Sequence, residues 1–142
     1  RITVSYAGMN GKTADGNYIP FTPAQKISPM LEYFSGSPTH EGAGFFIGMD
    51  FYFAQHLTAP GEMRTPAYRL LNSGLSYKKT RHQVSFEMRL SGNNLLNAAY
   101  YDHLSRFKYF GILNMGRNIG VQLIVKQTQK KHRVIDGSNM DF

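Results

Sequence analysis

The sequence predicts an all-β chain, and more narrowly a segment of a transmembrane antiparallel β-barrel. Three observations carry this expectation. Apolar and polar residues alternate with a period of two in six separate segments. No run of about 18 apolar residues occurs, so no membrane-spanning helix is expected. The connections between the segments run long, short, long, short, long, as in outer-membrane barrels with short periplasmic turns and longer outer loops.

The segments follow in order. Over residues 2–8, Ile2, Val4 and Tyr6 oppose Thr3, Ser5 and Ala7. Over 25–34, Ile27, Leu31 and Tyr33 oppose Lys26, Ser28 and Glu32. The third segment, 44–56, is the clearest. One parity reads Phe45, Ile47, Met49, Phe51, Phe53, and the other reads Gly44, Phe46, Gly48, Asp50, Tyr52, Ala54. A strand sends these two sets to opposite faces. Over 71–77, Leu71, Leu75 and Tyr77 oppose Asn72, Gly74 and Ser76. Val84, Phe86, Met88 and Leu90 oppose Ser85, Glu87, Arg89 and Ser91, and Ile119, Val121, Leu123 and Val125 oppose Asn118, Gly120, Gln122 and Lys126. The long connections are 10–20, 57–66 and 97–116. The short ones are 35–42 and a basic turn at 78–83. Residues 94–106 have some helical spacing but lie between two strand segments and are rich in Asn and Tyr.

Composition narrows the function classes. The chain has 142 residues, 42% hydrophobic and 18% charged, which suits one ordered domain and not a disordered chain. It has no Cys, so disulfides, thiolate metal sites and cysteine nucleophiles are excluded. Lys and Arg outnumber Asp and Glu by 16 to 9, a net charge of +7. The excess gathers in Lys78, Lys79, Arg81 and His82 and again in Lys130, Lys131, His132 and Arg133, which read as a solvated turn and tail. Binding to nucleic acid wants such charges interleaved with aromatics on one face, and they are not. Residue 1 is Arg, which leaves the chain either mature or part of something longer.

In a soluble sandwich the apolar face packs a core; in a membrane barrel it meets lipid. Lipid is favoured by the unbroken apolar run from Phe45 to Phe53 and by Lys26, Glu32, Asp50, Glu87 and Arg89 on the other parity. Aromatic residues near segment ends (Tyr6, Tyr33, Phe34, Tyr68, Tyr77) match interfacial girdles. Six strands cannot close a bilayer barrel, and an open edge in lipid leaves backbone groups unpaired. More strands must therefore complete it, from a missing N-terminal portion or from other subunits. A soluble basic β-domain that binds a ligand or nucleic acid is the alternative, and a homo-oligomeric pore a third class.

The order of motifs resembles the C-terminal end of TonB-dependent outer-membrane receptors. Ser91-Gly92-Asn93-Asn94-Leu95-Leu96-Asn97 is similar to the close of that family's penultimate strand. Tyr100-Tyr101-Asp102-His103-Leu104-Ser105-Arg106 is similar to its last outer loop, and Gly116-Arg117-Asn118-Ile119 to the opening of its final strand. Upstream, Thr58-Ala59-Pro60-Gly61-Glu62, Thr65-Pro66-Ala67-Tyr68-Arg69-Leu70-Leu71-Asn72 and Tyr18-Ile19-Pro20-Phe21-Thr22-Pro23-Ala24-Gln25-Lys26 resemble earlier loops and strand starts. The resemblance covers about residues 1–126. It implies about the last six strands of a 22-stranded barrel around a plug, with 127–142 a periplasmic tail that the family pattern lacks. It further implies the outer membrane of a Gram-negative bacterium and active uptake of a scarce nutrient, with a ferric siderophore or other metal complex favoured. The implied partners are the remaining strands and plug, the TonB energy-coupling complex, and lipid or lipopolysaccharide, without nucleic acid. No cofactor is implied.

The outer loops supply the candidate ligand contacts: His56, Tyr101, His103, Arg106 and Arg117. The Arg117 fork suits Asp102 or a ligand carboxylate, or a structural tie in the loop. Tyr100, Tyr101, Phe107, Tyr109 and Phe110 would stack a ligand or pack the loop. His56 and His103, with Met63 and Met115, invite a soft-metal site, but the spacing is too loose to assign one. Ser105 lies near His103 without a nucleophile-elbow motif, so no catalytic group is expected.

Overall fold

The computed structural model describes residues 1–36 and 41–127, and the expected tail at 128–142 lies outside them. Six strands form: β1 (Ile2–Ala7), β2 (Lys26–Gly36), β3 (Gly42–Tyr52), β4 (Tyr68–Arg81), β5 (Val84–Asn93) and β6 (Asn118–Gln127). They make one sheet in the order β1-β2-β3-β4-β5-β6, each antiparallel to its neighbours. The described residues contain no α-helix, only a short 3-10 helix at Arg106–Phe110. The sheet is open, with β1 and β6 at its edges. Because the strands follow one another as a meander, connections 8–25, 53–67 and 94–117 all lie at one end. The turn after β4 lies at the other, where β2 ends and β3 begins; most of the expected short connection 35–42 falls outside the described residues.

Register sorts the side chains. Directly opposed residues share a face. Tyr33, Phe45, Leu75, Leu90 and Val121 form one row across five strands, and Phe34, Gly44, Ser76, Arg89 and Gln122 form another on the opposite face. The first face is mainly apolar, Ser73 apart; the second is mainly polar or small, with Met30, Phe34, Phe46, Leu70 and Ile124 among its residues. None of the described residues covers the apolar face: Ile2 is 77% exposed, Val121 73% and Leu123 68%. Among the described residues no apolar side chain is buried, and the buried side chains are Thr22, Gln55, Thr65, Asn94, His103 and Lys108. This inverts the arrangement of a water-soluble domain, where apolar residues fill the interior.

Polar partners organise the other face. Asp50 accepts from Ser28 Oγ at 2.5 Å and from Asn72 Nδ2 at 2.9 Å. The β2–β3 ladder lapses at Ser28 and Pro29, where proline has no N–H to donate. Glu87 pairs with Arg89, Glu32 takes Arg1 at 3.2 Å and Lys26 lies over the Tyr52 ring at 5.4 Å. Two rings lie flat where a neighbouring strand has glycine. A Cβ on Gly44 would meet Phe34 Cε1 at 2.6 Å, and one on Gly74 would meet Phe46 Cε1 at 2.3 Å.

Several boundaries differ from the sequence expectation. Lys78–Arg81 belongs to β4 and not to a turn, because Lys78 pairs with Gly42 and Glu87 and Thr80 with Ser85. Only His82 and Gln83 remain as the turn, with His82 at φ 57°. β3 stops at Tyr52, short of His56. Beyond it, Phe53 N–H donates to Gln25 O and Gln55 bridges to Thr65. Phe34 and Tyr68 are not part of an apolar-face girdle, since their register puts them on the polar face.

Candidate functional site

The three long connections converge into one hydrogen-bonded cap, and asparagines shape it. Asn94 and Asn97 adopt left-handed φ of 48° and 53°, which asparagine tolerates better than most residues. Asn94 Nδ2 donates to Ala98 O at 2.9 Å and Met115 O at 3.3 Å, while its Oδ1 accepts from Ala98 N–H at 2.8 Å. Asn97 Oδ1 accepts from Arg117 N–H at 3.0 Å and would lie 2.8 Å from a Cβ on Gly116, which accounts for the glycine. Asn114 accepts from Asp102 N–H at 3.0 Å and its own N–H donates to Tyr100 O at 2.9 Å. These bonds stitch the two ends of connection 94–117 together.

Beneath them sits the most enclosed group of the described residues, formed by Glu62, Thr65, His103 and Lys108. Glu62 accepts from Phe21 N–H at 3.0 Å through Oε1 and from Ala59 N–H at 3.1 Å through Oε2, so one carboxylate ties two connections. His103 and Lys108, from the third, complete the tie. Lys108 Nζ donates to His103 O at 2.7 Å and lies 3.5 Å from Glu62 Oε1 and 3.4 Å from His103 Nδ1. Its ammonium also lies near the Phe21 and Tyr109 rings. Thr65 Oγ1 is 3.0 Å from His103 Nδ1. An ammonium can only donate, so Nδ1 is the acceptor and the proton of the neutral ring is on Nε2. Nε2 is 3.1 Å from Glu62 Oε1 but off the line a hydrogen bond needs.

Burial pushes the Glu62 carboxyl up, but the Ala59 and Phe21 N–H groups, His103 and Lys108 outweigh it and hold the group below its ordinary value. Burial and then Lys108 hold the His103 imidazole below its ordinary value, against Glu62 and Asp102. At neutral pH the carboxyl is therefore ionised and the ring neutral. Hydroxyl, imidazole and carboxylate stand in the order of a hydrolytic relay, yet Thr65 and His103 are each only 2% exposed. The hydrogen bonds and the ion pair of the group join all three connections.

Beside the tie, the polar face forms a cleft of about 350 Å³ bordered by Lys26, Tyr52, Tyr68, Asp102, His103 and Leu104. Tyr52, Tyr68 and Tyr100 stack in series, each step 4.4 Å between centroids. Tyr68 OH donates to Asp102 Oδ2 at 3.4 Å. Burial, then Asp102 and Tyr52, raise the Tyr100 phenol, which stays neutral.

The sequence-proposed contacts divide. His103 is sealed in the tie, and the Arg106 guanidinium lies 5.9 Å over the Phe21 ring beside it. Tyr101 OH donates to Gly111 O at 3.3 Å, within the loop. His56 is exposed, and Arg117 is exposed with its backbone bound to Asn97. Arg117 makes no ion pair with Asp102, which is engaged by Tyr68 OH and Leu104 N–H. No three His, Cys, Asp or Glu among the described residues are placed to hold a metal. Sequence reasoning missed Glu62, Thr65 and Lys108 as members of one group. Glu62 had a signal in its Pro60-Gly61 turn; Lys108, one lysine in an aromatic loop, had none.

No family model, no curated protein and no solved structure matches the chain.

Proposed function

We propose that residues 1–126 are the C-terminal wall and three outer loops of a TonB-dependent outer-membrane receptor, which takes up a scarce nutrient, with a ferric siderophore or other metal complex favoured. The observation that carries the reading is the bare apolar face. Each Val, Leu, Ile or Phe side chain kept in water forgoes roughly 1.5–3 kcal/mol of burial. A single-layer sheet with no apolar interior has nothing to offset that in water, whereas acyl chains would cover the face.

Three further features support it. β2 to β6 have 11, 11, 14, 10 and 10 residues, against about 9–11 for a tilted bilayer-crossing strand. On the apolar face of β4, Arg69 and Lys79 bracket Leu71, Ser73, Leu75 and Tyr77. Ten residues at about 3.3 Å, tilted by about 40°, span about 25 Å, the height of a barrel's apolar band. The long connections share one end, as outer loops do. Strand alternation splits Lys78 from Lys79 and Arg81, so the basic cluster forms no single phosphate-binding face. Further strands of the receptor, its plug, lipid or lipopolysaccharide and the energy-coupling complex are the partners of this reading, and the outer membrane its location.

Purification decides the matter. The full chain is expected to need detergent to remain dispersed with its β-sheet circular dichroism. A monodisperse monomer of full β content in plain buffer would favour the soluble β-domain and sink the receptor.

A further inference from the structure

We propose that the Glu62–His103–Lys108 tie is an acid-released lock, in which a proton on His103 expels Lys108 and opens the cleft that connection 94–117 covers. The inference goes beyond the transport reading. It uses loop residues only and stands whether or not the apolar face lies in lipid.

The geometry supplies the trigger. Nδ1 accepts from Thr65 and faces the Lys108 ammonium at 3.4 Å. The side chains of His103 and Lys108 are 1% and 0% exposed, so water cannot screen the pair. One carboxylate and one ammonium balance while the ring is neutral. Protonation turns Nδ1 into a donor aimed at another donor and leaves two cations against one anion. Thr65 can reverse its hydrogen bond; Lys108 cannot. Glu62 favours a charged ring, but Oε1 is off the Nε2–H axis and is already shared with Phe21 N–H and Lys108. Asp102, the remaining acid near the ring, is held by Tyr68 OH and Leu104 N–H. Connection 8–25 presents Phe21, whose ring also carries Arg106, a further cation. The environment therefore resists a second positive charge.

Release has a defined consequence. Lys108 is the buried residue of the 3-10 helix Arg106–Phe110, whose other side chains are exposed. Losing that anchor frees the helix from Phe21 and Glu62. It also lifts Asp102, His103 and Leu104 from the cleft they border. The direction follows from the imidazole's depressed affinity for protons: the open state binds the proton better, so the lock holds above about pH 6.5 and weakens as pH falls below it.

Amide hydrogen exchange on the full chain in detergent, corrected for intrinsic rates, reads the lock directly. Between pH 7.5 and 5.0 the Gly111, Ile112 and Asn114 amides are expected to lose about tenfold or more of their protection, while β3 and β4 amides keep theirs. H103Q, which cannot take up the proton, should abolish the dependence. Should H103Q fail to fold, F110W serves in its place. The chain has no Trp, so this exposed site is a lone reporter, and its anisotropy should fall over the same pH range with His103 intact. Loop protection equal at both pH values, an unchanged pH dependence in H103Q, an F110W anisotropy flat across the range, or loops and strands opening together would each overturn the proposal.

Discussion

Glu62 joins two of the connections and reaches the third, because one carboxylate accepts two backbone N–H groups and faces the Lys108 ammonium. Removing it strands Lys108. Breaking a buried pair from one side costs about 3–5 kcal/mol, so E62A should loosen all three connections, seen as lost exchange protection at Gly111 and Asn114. E62Q keeps an acceptor and should lose less. The carboxyl is held below its ordinary 4.5 in the folded state. Its contribution is therefore complete above about pH 4.5 and disappears as pH falls through the lower folded value. Acid melting of the cap should show this step separately from the one assigned to His103, and H103Q should retain it.

At the scale of the strand, glycine and aromatic residues act as pairs. Phe46 covers Gly74 and Phe34 covers Gly44, so the polar face stays flat where a side chain would collide with a ring. G74V should displace Phe46 and destabilise the β3–β4 pairing by about 1–3 kcal/mol, the usual cost of overpacking. A thermal or denaturant midpoint would register it. S76V, one row away at an intermediate position, should matter less. Pro29 shows the same economy in reverse. It interrupts a ladder inside the sheet, and Ser28 and Asp50 hold the two strands at that point through side chains.

For the whole molecule, the face a residue occupies should decide its tolerance to charge. Leu75 lies on the apolar face between Phe45 and Leu90 and is 52% exposed. In water L75R should be nearly neutral; in a bilayer it should cost about 2–4 kcal/mol near the midplane. S76R, on the polar face, should be tolerated in both. Comparing the two in lipid vesicles by denaturant refolding tests which solvent the apolar face meets. Equal tolerance would count against lipid. The free edges make a second demand. Cysteine at Val4 and at Val121, each matched by a cysteine placed on the flanking strand, should form disulfides on mild oxidation if the sheet continues on both sides.

The alternation of Phe45, Ile47, Met49, Phe51 and Phe53 against Gly44, Phe46, Gly48 and Asp50 determined the strands and their two faces without further help, because a period of two is a local property of extended backbone. It also placed the turns to within a few residues. It erred at Lys78–Arg81, where charge suggested a loop and cross-strand pairing kept a strand. The loop end was legible only as motifs. The motifs at 91–97 and 116–119 marked where the last loop begins and ends, but nothing local links Glu62 to Lys108, 46 positions on, or either to Phe21. That grouping exists because a meander brings three connections to one end and folds them over each other. Alternation is written into neighbouring residues, whereas a buried ion pair between distant loops is decided only when the chain has closed around it.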